Sequence, residues 1–267
     1  MTDPEALLTA ARRYCQDNHS YWADRYVKER TGNDFPYTYT DNDYKLFPRY
    51  NVLSAILDKV ETLVGQNHLD VETCKEELKN IGLTANSLFT TGEQNHIAIN
   101  AMQEERKKFI GFIENVTVQD LKFIEPLPHR RRLTKEESKQ VRQALLENWN
   151  FQGNYWEPLE ELSPKPTIFL MKDNVTDSDY EQIIEEIQKL SDNKLFEITE
   201  DGSDAEIEFS LFHPDCYETI YCDRRFDWIV YGSHEGTVAF GGTWLLGFIS
   251  QLYADREDKL NTWQQNW

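Results

Sequence analysis

Residues 205–211 read Ala205-Glu206-Ile207-Glu208-Phe209-Ser210-Leu211. Apolar side chains alternate with Glu, Glu and Ser, which is the period of a β-strand whose successive side chains point to opposite faces. The spacing predicts a strand over 205–211 with one face on a core and the other, carrying Glu206 and Glu208, in water. Further runs with strand character lie at Thr167–Met171, Leu195–Thr199, Glu218–Cys222, Phe226–Tyr231 and Thr237–Phe240. Between them stand Asp-Gly-Ser, His-Pro-Asp, Asp-Arg-Arg and Ser-His-Glu-Gly, residues that favour tight turns. Connections this short suit antiparallel neighbours, because parallel strands need a long crossover.

Helical patterns flank these strands. Tyr180, Ile183, Ile184 and Ile187 recur at helical spacing within Thr176–Leu190, and Trp244, Leu245, Phe248, Ile249 and Leu252 follow Gly241-Gly242-Thr243. From residue 167 the expectation condenses to a β-α-β-β-β-β-α order with a largely antiparallel sheet. Upstream, Thr134-Lys135-Glu136-Glu137 has the capping-box pattern that opens a helix running to about Trp149.

The N-terminal half reads differently. Val52, Leu53, Ile56, Leu57, Val60, Leu63 and Val64 mark one buried face of a helix beginning near Tyr50. Helices are also expected from Pro4 to about Arg30, after Asp70, and from about Glu93 to Ile113. The stretch from Thr31 to Pro48 is polar and aromatic and reads as a loop. Two prolines in Glu125-Pro126-Leu127-Pro128 break the periodicity, so the expected division is a mainly α-helical region over 1–125 and an acidic α+β domain over 126–267. The fold class expected for the whole is α+β.

Charge bounds the partners. The chain carries 47 acids against 28 bases, a net charge of −19 over 267 residues. The excess is uneven: residues 150–267 hold 24 acids and 8 bases, whereas residues 1–149 hold 23 and 20. A polyanion such as DNA, RNA or an anionic membrane is therefore not the expected partner, and a basic protein is. Four scattered cysteines without a Cys-x-x-Cys spacing suit reduced thiols, and no signal-peptide pattern or long apolar run is present, so the expectation is a cytoplasmic protein.

Candidate chemistry centres on His213, Asp227, His234 and Glu235. Ser233-His234-Glu235 holds the residue types of a hydrolytic triad, yet adjacent residues in a turn cannot line up nucleophile, base and orienting acid in series. A His234–Asp227 acid–base pair stays open. Cys216 and Cys222 with His213 and His234 offer zinc-type ligands at a spacing too loose for a zinc knuckle, so neither metal nor cofactor is expected. His129-Arg130-Arg131-Arg132 reads as a turn between domains or as a clamp on the acidic unit. The functional expectation is an acidic protein-binding module, of the inhibitor or immunity type, that neutralises a basic partner through Glu206, Glu208 and the rings of Trp156, Tyr217, Trp263 and Trp267. The alternative is a hydrolase or metal-dependent enzyme centred on His234.

Overall fold

A computed structural model describes residues 1–30, 38–66, 70–152 and 164–262. The chain divides into two compact units, Met1–Leu127 and Pro128–Trp267.

The first unit is helical. It contains α1 (Asp3–Glu29), α2 (Asp41–Glu61), α3 (Val71–Thr84), α4 (His96–Asn115) and the single turn α5 (Val118–Leu121). Each long helix opens on a side chain that satisfies free backbone N–H groups. Thr2 and Glu5 form a capping box on α1, Thr40 and Asp43 another on α2, while Asp70 caps α3 and Asn95 caps α4. Leu7, Ala11 and Cys15 of α1 meet Val52, Ile56 and Val60 of α2, Cys74 and Leu78 of α3, and Phe109 and Ile113 of α4 in one core. Burying each large side chain contributes about 1.5–3 kcal/mol. Helix α2 starts at Asp41, not near Tyr50, so part of the expected loop is helical and Pro48 lies inside the helix. The Thr40–Asp43 box and burial of Leu46 and Pro48 outweigh the hydrogen bond that proline cannot donate.

The second unit is built on a seven-stranded antiparallel sheet. Its elements in chain order are β1 (Arg130–Arg132), α6 (Lys135–Trp149), β2 (Thr167–Met171), α7 (Asp177–Leu190), β3 (Lys194–Thr199), β4 (Ala205–Glu208), β5 (Thr219–Cys222), β6 (Ile229–Gly232), β7 (Thr237–Gly241) and α8 (Thr243–Leu252). Across the sheet the order is β1-β4-β3-β5-β6-β7-β2. Five separate strands follow α7, one for each of the runs read at 195–199, 205–211, 218–222, 226–231 and 237–240 where the condensed order counts four, and Arg130–Arg132 adds a strand where a turn was expected. Strand β4 stops at Glu208, and Phe209–Leu211 forms a 3-10 turn that buries Phe209 instead of continuing the alternation.

Both faces of the sheet are covered. Leu170, Leu195, Ile207, Val230 and Phe240 pack under Ile183 and Ile187 of α7 and Leu245 and Ile249 of α8. Ile198, Ile220, Ile229, Tyr231 and Ala239 pack under Val141, Leu145 and Trp149 of α6. The turn from β7 into α8 requires glycine at 242: its φ is +119°, and a Cβ there would sit 2.8 Å from the Asp227 carbonyl oxygen. At the far edge, β2 is closed by Asn261, whose backbone N–H donates to the Phe169 carbonyl and whose side-chain oxygen accepts from the Phe169 N–H. Among the described residues no helix is long and apolar enough to cross a membrane.

Candidate functional site: an acidic rim at one end of the sheet

The antiparallel register decides which turns meet. Thr199 pairs with Thr219, Thr219 with Gly232, Gly232 with Val238, and Thr237 with Met171. The segments just beyond these residues, 172–174, 200–204, 212–218 and 233–236, therefore gather at one end of the sheet. They carry Asp173, Glu200, Asp201, Asp215, Glu218 and Glu235.

Backbone bonds lock the turns together. Ser233 N–H donates to the Thr237 carbonyl and Lys172 N–H to the Gly236 carbonyl, and Glu200 N–H donates to the Glu218 carbonyl. Gly232 lets the 212–218 loop lie directly on β6, since a Cβ at this position would fall 2.1 Å from the Cys216 carbonyl oxygen. The Lys172 ammonium then pins the loop from its other side. It donates to the Cys216 carbonyl, stands 3.2 Å from Asp215 Oδ1 and lies 3.8 Å from the centre of the Tyr217 ring. Tyr217 is 67% exposed, so one face of a positioned aromatic ring meets solvent among carboxylates.

His234 projects from the β6–β7 turn with its Nδ1 2.8 Å from Glu218 Oε1. Glu218 holds a left-handed backbone, φ +49°, uncommon for a residue with a side chain. Its carboxylate also meets that of Glu200, whose Oε1 accepts a hydrogen bond from the Tyr231 hydroxyl at 3.2 Å. Burial and the Glu218 charge push the Glu200 carboxyl above its ordinary value, against the pull of the Tyr231 hydroxyl. Cys216 is not an activated nucleophile: burial pushes its thiol up to about 11.

The expected catalytic residues do not assemble. Ser233 is buried and its hydroxyl accepts from the Glu235 backbone N–H, so it takes no part in a series with His234. Asp227 precedes β6 and His234 follows it, so the strand separates them by roughly 13 Å at four residues of about 3.3 Å each. Asp227 lies instead 3.9 Å from the Arg225 guanidinium, and His234 finds Glu218. His213 is exposed on the loop before Cys216, and Cys222 is fully buried on the α6 side of the sheet. Among the described residues no group of three or more His, Cys, Asp or Glu could hold a metal ion.

The expected partner-facing carboxylates need correction as well. Glu206 is only 4% exposed. Its oxygens take Arg224 at 2.5 Å, Lys194 at 3.2 Å and His129 at 3.0 Å, with Arg131 at 3.9 Å. Burial alone would raise this carboxyl, but Arg224, Lys194 and His129 outweigh it and hold the group near 2. Glu208 accepts from the His129 backbone N–H and from the Ser210 hydroxyl. The arginine run is the clamp: Arg130 grips Glu197 and Arg131 grips Glu137, both with two hydrogen bonds. Trp156, Trp263 and Trp267 lie outside the described residues.

Among the described residues of the expected partner-facing set, Tyr217 stands at the rim, together with His213, His234 and Glu235 of the expected catalytic set. Glu200, Asp215 and Glu218 were not singled out in the sequence, although pairing the predicted strands 218–222 and 226–231 across their turn would have set Glu218 close to His234. No family model matches this chain, and comparison with curated proteins and with solved structures found no significant match.

Proposed function

We propose that the second unit is a binding module for a basic protein surface, and that the rim around Tyr217 is where the partner docks. The observation that carries this reading is one exposed, cation-pinned aromatic ring framed by carboxylates from four turns, with the Lys172 ammonium against the ring and the His234 imidazole beside Glu218. An aromatic anchor inside a charged surround is the arrangement of an interface hot spot, and the surrounding field speeds encounter with a partner of opposite sign. The four free cysteines suit work in a reducing compartment such as the cytosol. Neutralising a basic partner, as an inhibitor or immunity-type protein does, is the role this surface would serve.

The test is capture of partners by the tagged chain from its native lysate at low and high salt, beside a Tyr217→Ala/Asp215→Asn/Glu235→Gln variant. A stoichiometric basic protein held at low salt, released at high salt and missed by the variant is the expected result. Recovery of the same proteins by both chains would sink the proposal. The alternative, a hydrolase centred on His234, is favoured by the Nδ1 contact with Glu218, because a carboxylate on one ring nitrogen orients the other for proton transfer. It requires a turnover that His234→Ala abolishes while partner capture persists.

A further inference from the structure

On the α6 face of the second unit, an open cleft of about 390 Å³ is lined by Lys135, Ser138, Lys139, Arg142, Gln143, Leu146, Phe151 and Gln152. We propose that this cleft binds a small organic anion, its phosphate or carboxylate held by Lys135 and Lys139 and its apolar body laid along Leu146.

The lining is opposite in sign to the unit that carries it. The unit around it is strongly acidic, yet three cations and no carboxylate line the cleft. Lys135, Lys139, Arg142 and Leu146 follow at intervals of four, three and four, which sets them along one stripe of the helix. The two lysines are exposed in the first turns of α6.

The cleft also has a fixed floor. Asp204 is 3% exposed and its oxygens accept from Ser138 Oγ, Arg142 Nε and Nη2, and the Thr199 N–H. Arg142 also donates to the Thr199 carbonyl, and its guanidinium carbon stands 5.9 Å from the centre of the buried Phe151 ring. Asp204 thereby neutralises Arg142 and holds it in place, so the two lysines supply the cleft's net charge. Leu146, 38% exposed, gives the apolar end. A charged end, an apolar end and a volume within the usual range of small-molecule sites select an amphipathic anion over a bare one.

The probe is 1-naphthyl phosphate, titrated into the isotopically labelled full chain and followed by amide NMR shifts, with 1-naphthol and inorganic phosphate as the two half-ligands. The expected shifts are confined to residues 135–152, and each half-ligand binds more weakly than the whole. Lys135→Glu/Lys139→Glu should weaken binding roughly tenfold or more, the scale of losing two charge contacts and gaining two repulsions. Leu146→Ser, a single exposed change, should weaken it a fewfold, and Tyr217→Ala, outside the cleft lining, should leave it unaltered. Shifts scattered over the surface, equal binding of 1-naphthol, unchanged affinity in the double-lysine variant, or no saturable shift at all would each overturn the proposal.

Discussion

The two ends of the sheet in the second unit use the same residue types to opposite effect. At the end where β3 begins, Glu206 is enclosed by Arg224, Lys194, Arg131 and His129, and Asp223, fully buried, is held by Arg225. Burial and the neighbouring Lys194 push the His129 imidazole down, so it acts there as a hydrogen-bonding group more than as a cation. At the end where β3 stops, Glu200 and Glu218 face each other, with His234 Nδ1 2.8 Å from Glu218 and the Tyr231 hydroxyl on Glu200. Carboxylates at the first end hold the fold together. Those at the second repel one another, and a repulsion kept in a folded protein is relieved when an outside cation arrives.

The largest expected effect breaks the first end. Glu206→Leu leaves Arg224 and Lys194 without their counter-charge beside Arg131, which keeps Glu137, and should cost about 2–3 kcal/mol in urea denaturation. That lies under the usual loss for a buried pair because the cations remain partly exposed. The matching Glu218→Gln change should shift the midpoint by less than about 0.5 kcal/mol. Equal losses from the two would erase the contrast.

The second effect concerns the rim as an interface. Tyr217→Ala should weaken capture of a basic partner by roughly tenfold or more, in keeping with a truncated aromatic hot spot, while leaving the urea midpoint nearly unmoved. Neutralising Asp215 and Glu235 together should be smaller, slowing association a fewfold at low salt and flattening its dependence on ionic strength. Stopped-flow rates at two salt concentrations decide this.

The pH dependence has opposite sign at the two ends, and its Glu200 part is the smallest effect. Glu206 is held near 2 in the folded chain against an unfolded value near 4.5, so its stabilisation is present above pH 4.5 and is lost as the pH falls towards 2. Glu200 is raised, so the folded state binds its proton more tightly than the unfolded chain does, and its contribution declines as pH rises through that shifted value. Glu200→Gln should therefore stabilise the chain at neutral pH by a few tenths of a kcal/mol after solvent screening, with no gain under acid. A loss of stability at pH 7 would contradict the assignment.

Much of this architecture could be read before the structure, and the misses share a cause. The periodic face from Val52 to Val60 and the Thr134–Glu137 box are local signals, and both lie in helices that form, while Leu63 and Val64 fall past the end of α2 at Glu61. The three arginines of β1 have no strand-like alternation; they become a strand because β4 offers them a ladder through Arg130–Ile207 and Arg132–Ala205 pairing. Glu206 looked solvent-facing because alternation distinguishes two faces without saying what covers the second, and here Arg131 and Lys194 cover it. The rim was legible in its charge and in Tyr217. It was illegible in its geometry, because Glu218 and His234 are joined by strand register and not by nearness in the chain.

The sheet's outermost strands bear on whether copies of this protein can polymerise. An open ladder of N–H and C=O groups invites a strand from another molecule, the step that begins edge-to-edge aggregation. One margin here is three consecutive arginines, which an identical strand could approach only by setting like charges side by side. The other has Asn261 folded back onto Phe169, occupying the central donor and acceptor. Two unrelated devices, electrostatic on one margin and a hydrogen-bonded plug on the other, blunt the two open edges of a seven-stranded sheet against a strand from another copy.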